Sequence, residues 1–596
     1  MKRIILIFLT AVLPVLILMS ALTQAGGKAE INVHRAVILD LSTRNRTGDT
    51  ELTALKHCFE IFAIQYTVTD SIPDASDVPL VYTAGDLRNT TFSPAELQKL
   101  YSYVENGGVL VSQVVTGNKL FSLFGIRNIN DSRKRYKINF RKPSDDISLF
   151  YLDRPEEQSV SLGNKKLYNE VIWTHAFDVN DAKTLATTED RKTIFSVNHY
   201  GDGTAYAMGV SLSDAVLLPH VGNDYEAQRG WINTFEPGAD VFLLIMKSIY
   251  EEYTRPFIYL STIPYGQKTA LILTHDVDAQ MSFPNMVKYA ELEKKFGVSG
   301  TYFITTKYFK DDMDIGYYDA ERIEYVKQVK LLGGDVGSHT VTHSVTFEKF
   351  PEGSFNTSKS DYKIITNPTV FGEVKVSKEL LDRDIPLQNT VSFRSGNLRF
   401  PDKLIDTLEK CGYLYDSSFS ANDIMTNYAY RAFRQRKVGA GKSSVIEIPV
   451  IFDDSQGLLT PRNMNELVAK WIDIINANGD NEAISVLLVH PSEAGYKLKS
   501  QENLLTQISK KNIWIGSITA YGDFWSARNR YNFESTLTDK ILTIKILSPV
   551  IDDRISICVK NTPLISEIIV KDSNNKALKF TRSQTGNKVI LHFNKP

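Results

Sequence analysis

"ERIEYVKQVKLLGGDVGSHTVTHS", residues 321–344, contains a helix, a glycine turn and a strand in that order. The strand ends in His339 and His343, four apart in a chain with only ten histidines. An isolated pair of that spacing could bind a metal, form a polar contact or arise by chance. The neighbouring segments narrow the choice. "KTALILTHDVD" (268–278) is an apolar strand that ends in Asp276 and Asp278. "FPNMVKYAELEKKFGV" (283–298) is a helix with Gly297 as its cap, and "SGTYFITTKYF" (299–309) is the next strand. Strand and helix alternate in this way to about residue 525. That rhythm predicts a (β/α) barrel, or a variant of one, over residues 256–526.

The chain on either side differs. Residues 30–255 start with short apolar runs suited to buried parallel strands, at 35–41, 78–85 and 107–115. Between the last two runs, Ser93, Pro94 and Glu96 spell a helix start with a capping box, and Gly107 suits its end. An α/β sheet is expected there, with further strands and loops added over 135–200. After residue 530 short alternating strands with polar turns predict a small all-β, sandwich-like appendage over 530–596. The predicted fold class is therefore α/β and multidomain. Residues 1–25 open with Lys2 and Arg3, run apolar, and end in small residues. That order predicts a secretory signal peptide, or an uncleaved N-terminal anchor and membrane tether.

Composition excludes several classes. The chain has 596 residues, more than one core supports, and at 43% hydrophobic it is globular. Basic and acidic residues nearly cancel, to a net charge of −1, so no nucleic-acid partner is expected. Cys58, Cys411 and Cys558 are far apart and form no CxxC, which argues against a disulfide framework or a cysteine zinc site.

Only four histidines fall between 256 and 525: His275, His339, His343 and His490, each at or beside a predicted strand end. In a barrel those ends converge on one pocket. Asp276 and Asp278, two apart, face one side of their strand. Two like charges so close are costly unless a cation or a proton divides their roles. Two neutral imidazoles and one carboxylate make a common divalent-metal set with open positions. Taken alone, each residue also has a plainer reading. The Asp pair could be a solvated strand terminus, His490 a satisfied core histidine, Arg394 an ordinary ion-pair arginine and Asp416 a turn cap. His275 points away from Asp276 and suits packing. Trp514, Phe524 and Trp525 suit either a core or a sugar groove.

Together these segments resemble the polysaccharide deacetylases of carbohydrate esterase family 4, the NodB-homology domain. Thr274-His275-Asp276-Val277-Asp278 is a variant of that family's T-F-D-D motif, with one residue between the acids. His339-Thr340-Val341-Thr342-His343 matches H-S/T-x-x-H. Arg394 in "SFRSGNLRFP" stands for the third motif without its R-x-P-Y, and Asp416 in "YLYDSSFS" for the fourth without its tryptophan. "EIPV" (447–450) resembles a family strand, and "LLVHPSEAG" places His490 in the fifth motif.

The resemblance implies metal ligation by Asp278, His339 and His343, with zinc or another divalent ion as cofactor. It implies Asp276 as general base, His490 as proton donor, Arg394 as the partner of Asp276, and Asp416 as an orienting group. The implied reaction is removal of N-acetyl groups from an extracellular or envelope glycan, by a secreted, periplasmic or anchored hydrolase. Two alternatives stay open: a glycan-binding protein whose deacetylase-like domain is inactive, and a hydrolase of another non-peptide C–N bond. Residues 30–255 resemble the class I glutamine-amidotransferase-like domains through "AELQKLYSYVENGGVLV" and "GDGTAYAMGVSLSD". The cysteine those enzymes carry on a strand–helix elbow is absent from "QVVTG" (113–117), so a non-catalytic role is expected.

Overall fold

The computed structural model describes residues 31–32, 36–222, 232–310, 315–358, 368–454, 459–560 and 562–593. The expected leader or anchor over 1–25 lies outside them. Among the described residues no helix is long and apolar enough to cross a membrane.

The fold is mixed α/β, with four sheets among the described residues. In the first region, strands Ala36–Asp40, Leu80–Ala84 and Val109–Gln113 pair in parallel, with Thr67–Thr69 outside the first of them. Strand Leu80–Ala84 is buried along its whole length, as a sheet covered on both faces requires. The crossover helix Pro94–Glu105 starts with the expected box: the Glu96 amide donates to Ser93 Oγ, and the Ser93 amide to Glu96 Oε2. Strand Gly203–Met208 continues the parallel order beside Val109–Gln113. From there Thr193–Tyr200, Lys183–Thr188, Lys137–Phe140 and Ser159–Ser161 extend the sheet antiparallel. After Gln113 the backbone turns sharply through Val114, at φ 51°. A β-branched residue there is strained. Cys58 is buried in helix Gly48–Phe62, and burial pushes its thiol well up, so it is no nucleophile.

The second sheet curls as a half-barrel. Parallel strands run in the spatial order Lys442–Glu447, Tyr415–Asp416, Ser392–Phe393, Asp335–Ser338, Thr301–Ile304, Thr269–Val277, Ile484–Val489, Phe452–Asp453. The central strand Thr269–Val277 is wholly buried. Helices Ser282–Lys295 and Ala320–Leu332 form the first two crossovers, and left-handed Gly297 and Gly333 follow them.

The C-terminal strands do not form a self-contained appendage. Phe533–Thr538, Ile541–Ile546 and Glu567–Lys571 share a sheet with Ile31–Asn32. Ile557–Lys560, Lys588–Phe593 and Phe580–Thr585 share another with Phe257–Leu260. An unpaired edge is a liability, and each sheet covers one edge with a strand from elsewhere in the chain. Phe257–Leu260, expected at the start of the barrel, therefore belongs to a C-terminal sheet. The buried Arg528 ties the regions together by donating to the carbonyls of Ile61, Leu260 and Ser261. Phe524 and Trp525 are core residues of this junction and line no sugar groove.

Candidate active site

Strand by strand, the C-terminal ends of the half-barrel deliver the polar side chains. Asp276 and Asp278 close the central strand, His339 follows Asp335–Ser338, and Arg394 follows Ser392–Phe393. Asp416 and Glu447 end their strands, Asp454 follows Phe452–Asp453, and His490 follows Ile484–Val489.

Asp276 is buried. Its Oδ1 lies 2.9 Å from Arg394 Nη1, and its Oδ2 lies 3.5 Å from His339 Nε2. Burial pushes its carboxyl up, but Arg394, His339 and His490 outweigh this and hold it at about 2. Arg394 is fully buried over the Phe303 ring, which excludes a surface role. It also donates to Thr274 Oγ1, Ser417 O and Ser417 Oγ, so every arm of its fork is fixed.

Asp278 Oδ2 lies 3.8 Å from His343 Nε2 and 3.8 Å from His490 Nε2. His339 Nδ1 lies 2.9 Å from the Arg394 carbonyl, an acceptor, so the ring donates there and turns Nε2 toward Asp276. That Nε2 is buried and has no hydrogen-bond partner. Burial and His339 push His343 down to about 3, so it is a neutral imidazole. By donor type, two imidazoles and a carboxylate are a set that suits a divalent cation. Two ligands at about 2.0–2.2 Å from one ion stand roughly 3.4 Å apart when tetrahedral. The Asp278–His343 separation is close to that.

Among the described residues a different trio meets the spacing of a metal site, and Asp278, His339 and His343 do not all lie within 4.8 Å of one another. Ligand atoms of Asp453, Asp454 and His490 all lie within 4.8 Å of one another. Cationic side chains already occupy this cluster. Asp454 Oδ1 lies 2.7 Å from His490 Nδ1, and its Oδ2 lies 2.9 Å from Lys497 Nζ. An ammonium on that oxygen makes the group an ion-pair cluster and a poor cation site. Burial lowers the basicity of His490, but Asp454, Asp278 and Asp276 outweigh it and push the ring up to about 10.

Asp416 reaches Arg394 through its neighbours. Its Oδ1 accepts from Ser418 Oγ at 2.5 Å, and it is Ser417 that binds Arg394 directly. Asp416 and Glu447 are both fully buried, and each has an oxygen without a donor. Burial and the charge of Asp416 push Glu447 well up, and burial raises Asp416 too, so the pair shares a proton. His275 packs behind the site, with Nε2 2.7 Å from Glu293 Oε1 and its ring stacked on Tyr302.

Sequence reading missed Ser417, Glu447, Asp454, Lys497 and Glu373. Glu373 is buried on helix Val370–Asp384 and accepts from the Val341 and Thr342 amides and from Thr342 Oγ1. It bolts a loop in which Thr340 and His343 both have positive φ, at 65° and 55°. Strain of this kind persists only where the surroundings enforce it.

No family model matches the chain, and no curated protein matches it. Solved structures do show likeness. A Mycobacterium smegmatis protein described as a polysaccharide deacetylase is 17% identical over 44% of this chain and 92% of its own, with a TM-score of 0.34. The carbohydrate deacetylase Agd3 is 10% identical over 95% of this chain and 98% of its own, with a TM-score of 0.40. A CE4 family pseudoenzyme from Bacillus anthracis is 14% identical over 43% and 65%, with a TM-score of 0.26. At TM-scores below 0.5 none of these likenesses decides what this site does.

Proposed function

We propose that the chain is a metal-dependent hydrolase that removes N-acetyl groups from a glycan, releasing acetate and leaving a free amine. The observation that carries this reading is the buried Nε2 of His339, which has no hydrogen-bond partner, set beside an ionised Asp276 and across from a protonated His490. Asp278, His339 and His343 would hold a divalent ion, zinc among the candidates. Such an ion, when bound, supplies Lewis-acid polarisation of the acyl oxygen and acidifies a water.

This chain's own residues do the rest. Asp276 takes the proton of the attacking water, and Arg394 keeps its carboxylate ionised and aimed. His490 gives its Nε2 proton to the departing amine nitrogen, because Asp454 occupies Nδ1. Asp416, with Glu447, underlies the Ser417–Ser418 turn that seats Arg394.

In this reading residues 256–526 are the catalytic unit. Residues 30–255, amidotransferase-like without the elbow cysteine, are a binding or scaffold unit, and 530–596 complete the junction. Residues 1–25 export the chain to the cell envelope or beyond, cleaved or kept as a tether. The partner is an N-acetylated polysaccharide.

The test is acetate release from a panel of N-acetylated polymers, with metal supplied. Asp276→Asn and His339→Ala should abolish release. Metal binding without turnover on any polymer would favour an inactive glycan-binding protein. Ring opening of cyclic amides without acetate release would favour the other C–N hydrolase.

A further inference from the structure

Among the described residues, strand Phe452–Asp453 is the last strand at its end of the half-barrel and pairs in that sheet with Ile484–Val489 alone. It is short, and it leads directly into Asp454. Its outer side meets a residue from the first α/β region. The Asn233 side chain donates through Nδ2 to the Asp453 carbonyl at 2.9 Å, and its Oδ1 accepts from the Asp453 amide at 3.0 Å. One side-chain amide thus makes both hydrogen bonds that a neighbouring strand would make to that residue. The orientation of the amide is fixed independently. Trp471 Nε1, which can only donate, lies 2.8 Å from the same Oδ1. Asn233 is only 2% exposed, at φ 71°, a conformation asparagine tolerates better than most residues.

The segment that carries Asn233 is anchored to the barrel at its other end as well. Asp240 accepts from Thr426 Oγ1 and from the amide and side chain of Asn427. The Asn427 carbonyl in turn accepts from the amide of Ile484, the first residue of the strand that ends beside His490. Residues 233–240 therefore grip both strands that present the Asp454–His490 pair.

We propose that Asn233 is a positioning residue for proton donation by His490. It acts as the missing edge partner of Phe452–Asp453, and so holds Asp454 where it can orient the His490 ring. The inference rests on the hydrolase reading above. It makes the first region a structural part of the active site, whatever else that region binds.

The experiment compares two acetyl donors on the full-length, metal-loaded chain. An N-acetylated amino sugar oligomer needs a proton on its leaving nitrogen. An aryl acetate ester does not, because a phenolate leaves unprotonated. Asn233→Ala should lower kcat on the amide roughly 10- to 100-fold, since small misplacements of a catalytic group cost that much. KM should change less than about twofold and ester turnover should stay near wild type. Thr234→Val, which removes the neighbouring 3.0 Å contact to Asn422 of the barrel, should leave both activities unchanged. Asn233→Asp keeps both acceptor contacts and covers the case in which alanine does not fold. It should show the same amide-selective loss. Equal losses on amide and ester, a loss of bound metal, or no loss at all would overturn the inference alone. Wild-type protein that releases acetate from neither donor would overturn the hydrolase reading and this inference with it.

Discussion

His490 Nδ1 lies 2.7 Å from Oδ1 of Asp454, and this hydrogen bond decides which end of the ring faces the site. With Nδ1 committed to a buried carboxylate, Nε2 is left pointing at Asp278, 3.8 Å away. Asp454 also fixes the His490 amide, at 3.1 Å, so ring and backbone are set by one side chain. Asp454→Asn should keep the geometry but weaken the stabilisation of the imidazolium. Acetate release from N-acetylated amines should fall about 10²–10⁴-fold, the range general acid catalysis contributes. Steady-state kinetics on amide and ester donors measures it, and equal rates for variant and wild type would remove His490 from its role.

Arg394 and Asp276 form the most deeply buried ion pair of the site, at 0% and 4% side-chain exposure. Removing one member of such a pair strands the other in a medium that cannot solvate it. Arg394→Met should cost roughly 3–5 kcal/mol of stability, measured by urea unfolding, besides abolishing activity. Asp276→Asn should abolish activity and also cost stability, because its amide can accept from Arg394 but leaves the buried guanidinium charge unpaired.

Metal dependence makes a separate prediction. Chelator treatment should abolish acetate release, and added divalent ions should restore it. His339→Ala and Asp278→Asn should lower bound metal, read by elemental analysis of the dialysed protein. Asp454→Asn should not, since Lys497 and His490 already neutralise that carboxylate. Loss of metal in Asp454→Asn with retention in His339→Ala would move the ion to the Asp453–Asp454–His490 cluster.

Much of this site could be read from sequence because each barrel strand puts its chemistry at its last residues. "LTHDVD" and "HTVTH" announce a strand end that is apolar and then abruptly acidic or imidazole-bearing. The same signal was present in "VIFDD" (450–454), an apolar run closed by two acids, and would have found Asp454. Ser417 carries no such mark, since a serine beside Asp416 is ordinary in a turn. Asn233 and the sharing of Phe257–Leu260 with the C-terminal strands had no local trace. Both are contacts between segments far apart in the chain, and periodicity reports only which face is buried, never what covers it.

The junction of the three regions gives a prediction about pH. Glu482 is nearly buried where helix Asp240–Tyr253 and strand Lys588–Phe593 meet the half-barrel. Its Oε2 lies 3.3 Å from Lys247 Nζ, and its Oε1 accepts from Lys588 and from Tyr259 OH. Lys560, paired with Glu251 at 2.9 Å and in contact with Tyr151, adds positive charge from the next strand. Burial alone would push Glu482 up, but Lys247, Lys588 and Lys560 outweigh it and hold the carboxyl well below its ordinary 4.5. A folded value below the unfolded one means the stabilisation is fully present above pH 4.5. It is then lost as pH falls through the lower folded value, because the native state must take up a proton it disfavours. Unfolding midpoints in urea should therefore be insensitive to this group from pH 5 to 7 and fall steeply below about pH 4. Glu482→Gln should remove that part of the acid limb. It should also destabilise the protein at neutral pH by roughly 3–5 kcal/mol, since Lys247, at 1% side-chain exposure, loses its carboxylate. An acid limb of unchanged shape in Glu482→Gln would show that the three regions are held together by their apolar contacts and the Arg528 fork, with the lysine cluster contributing nothing.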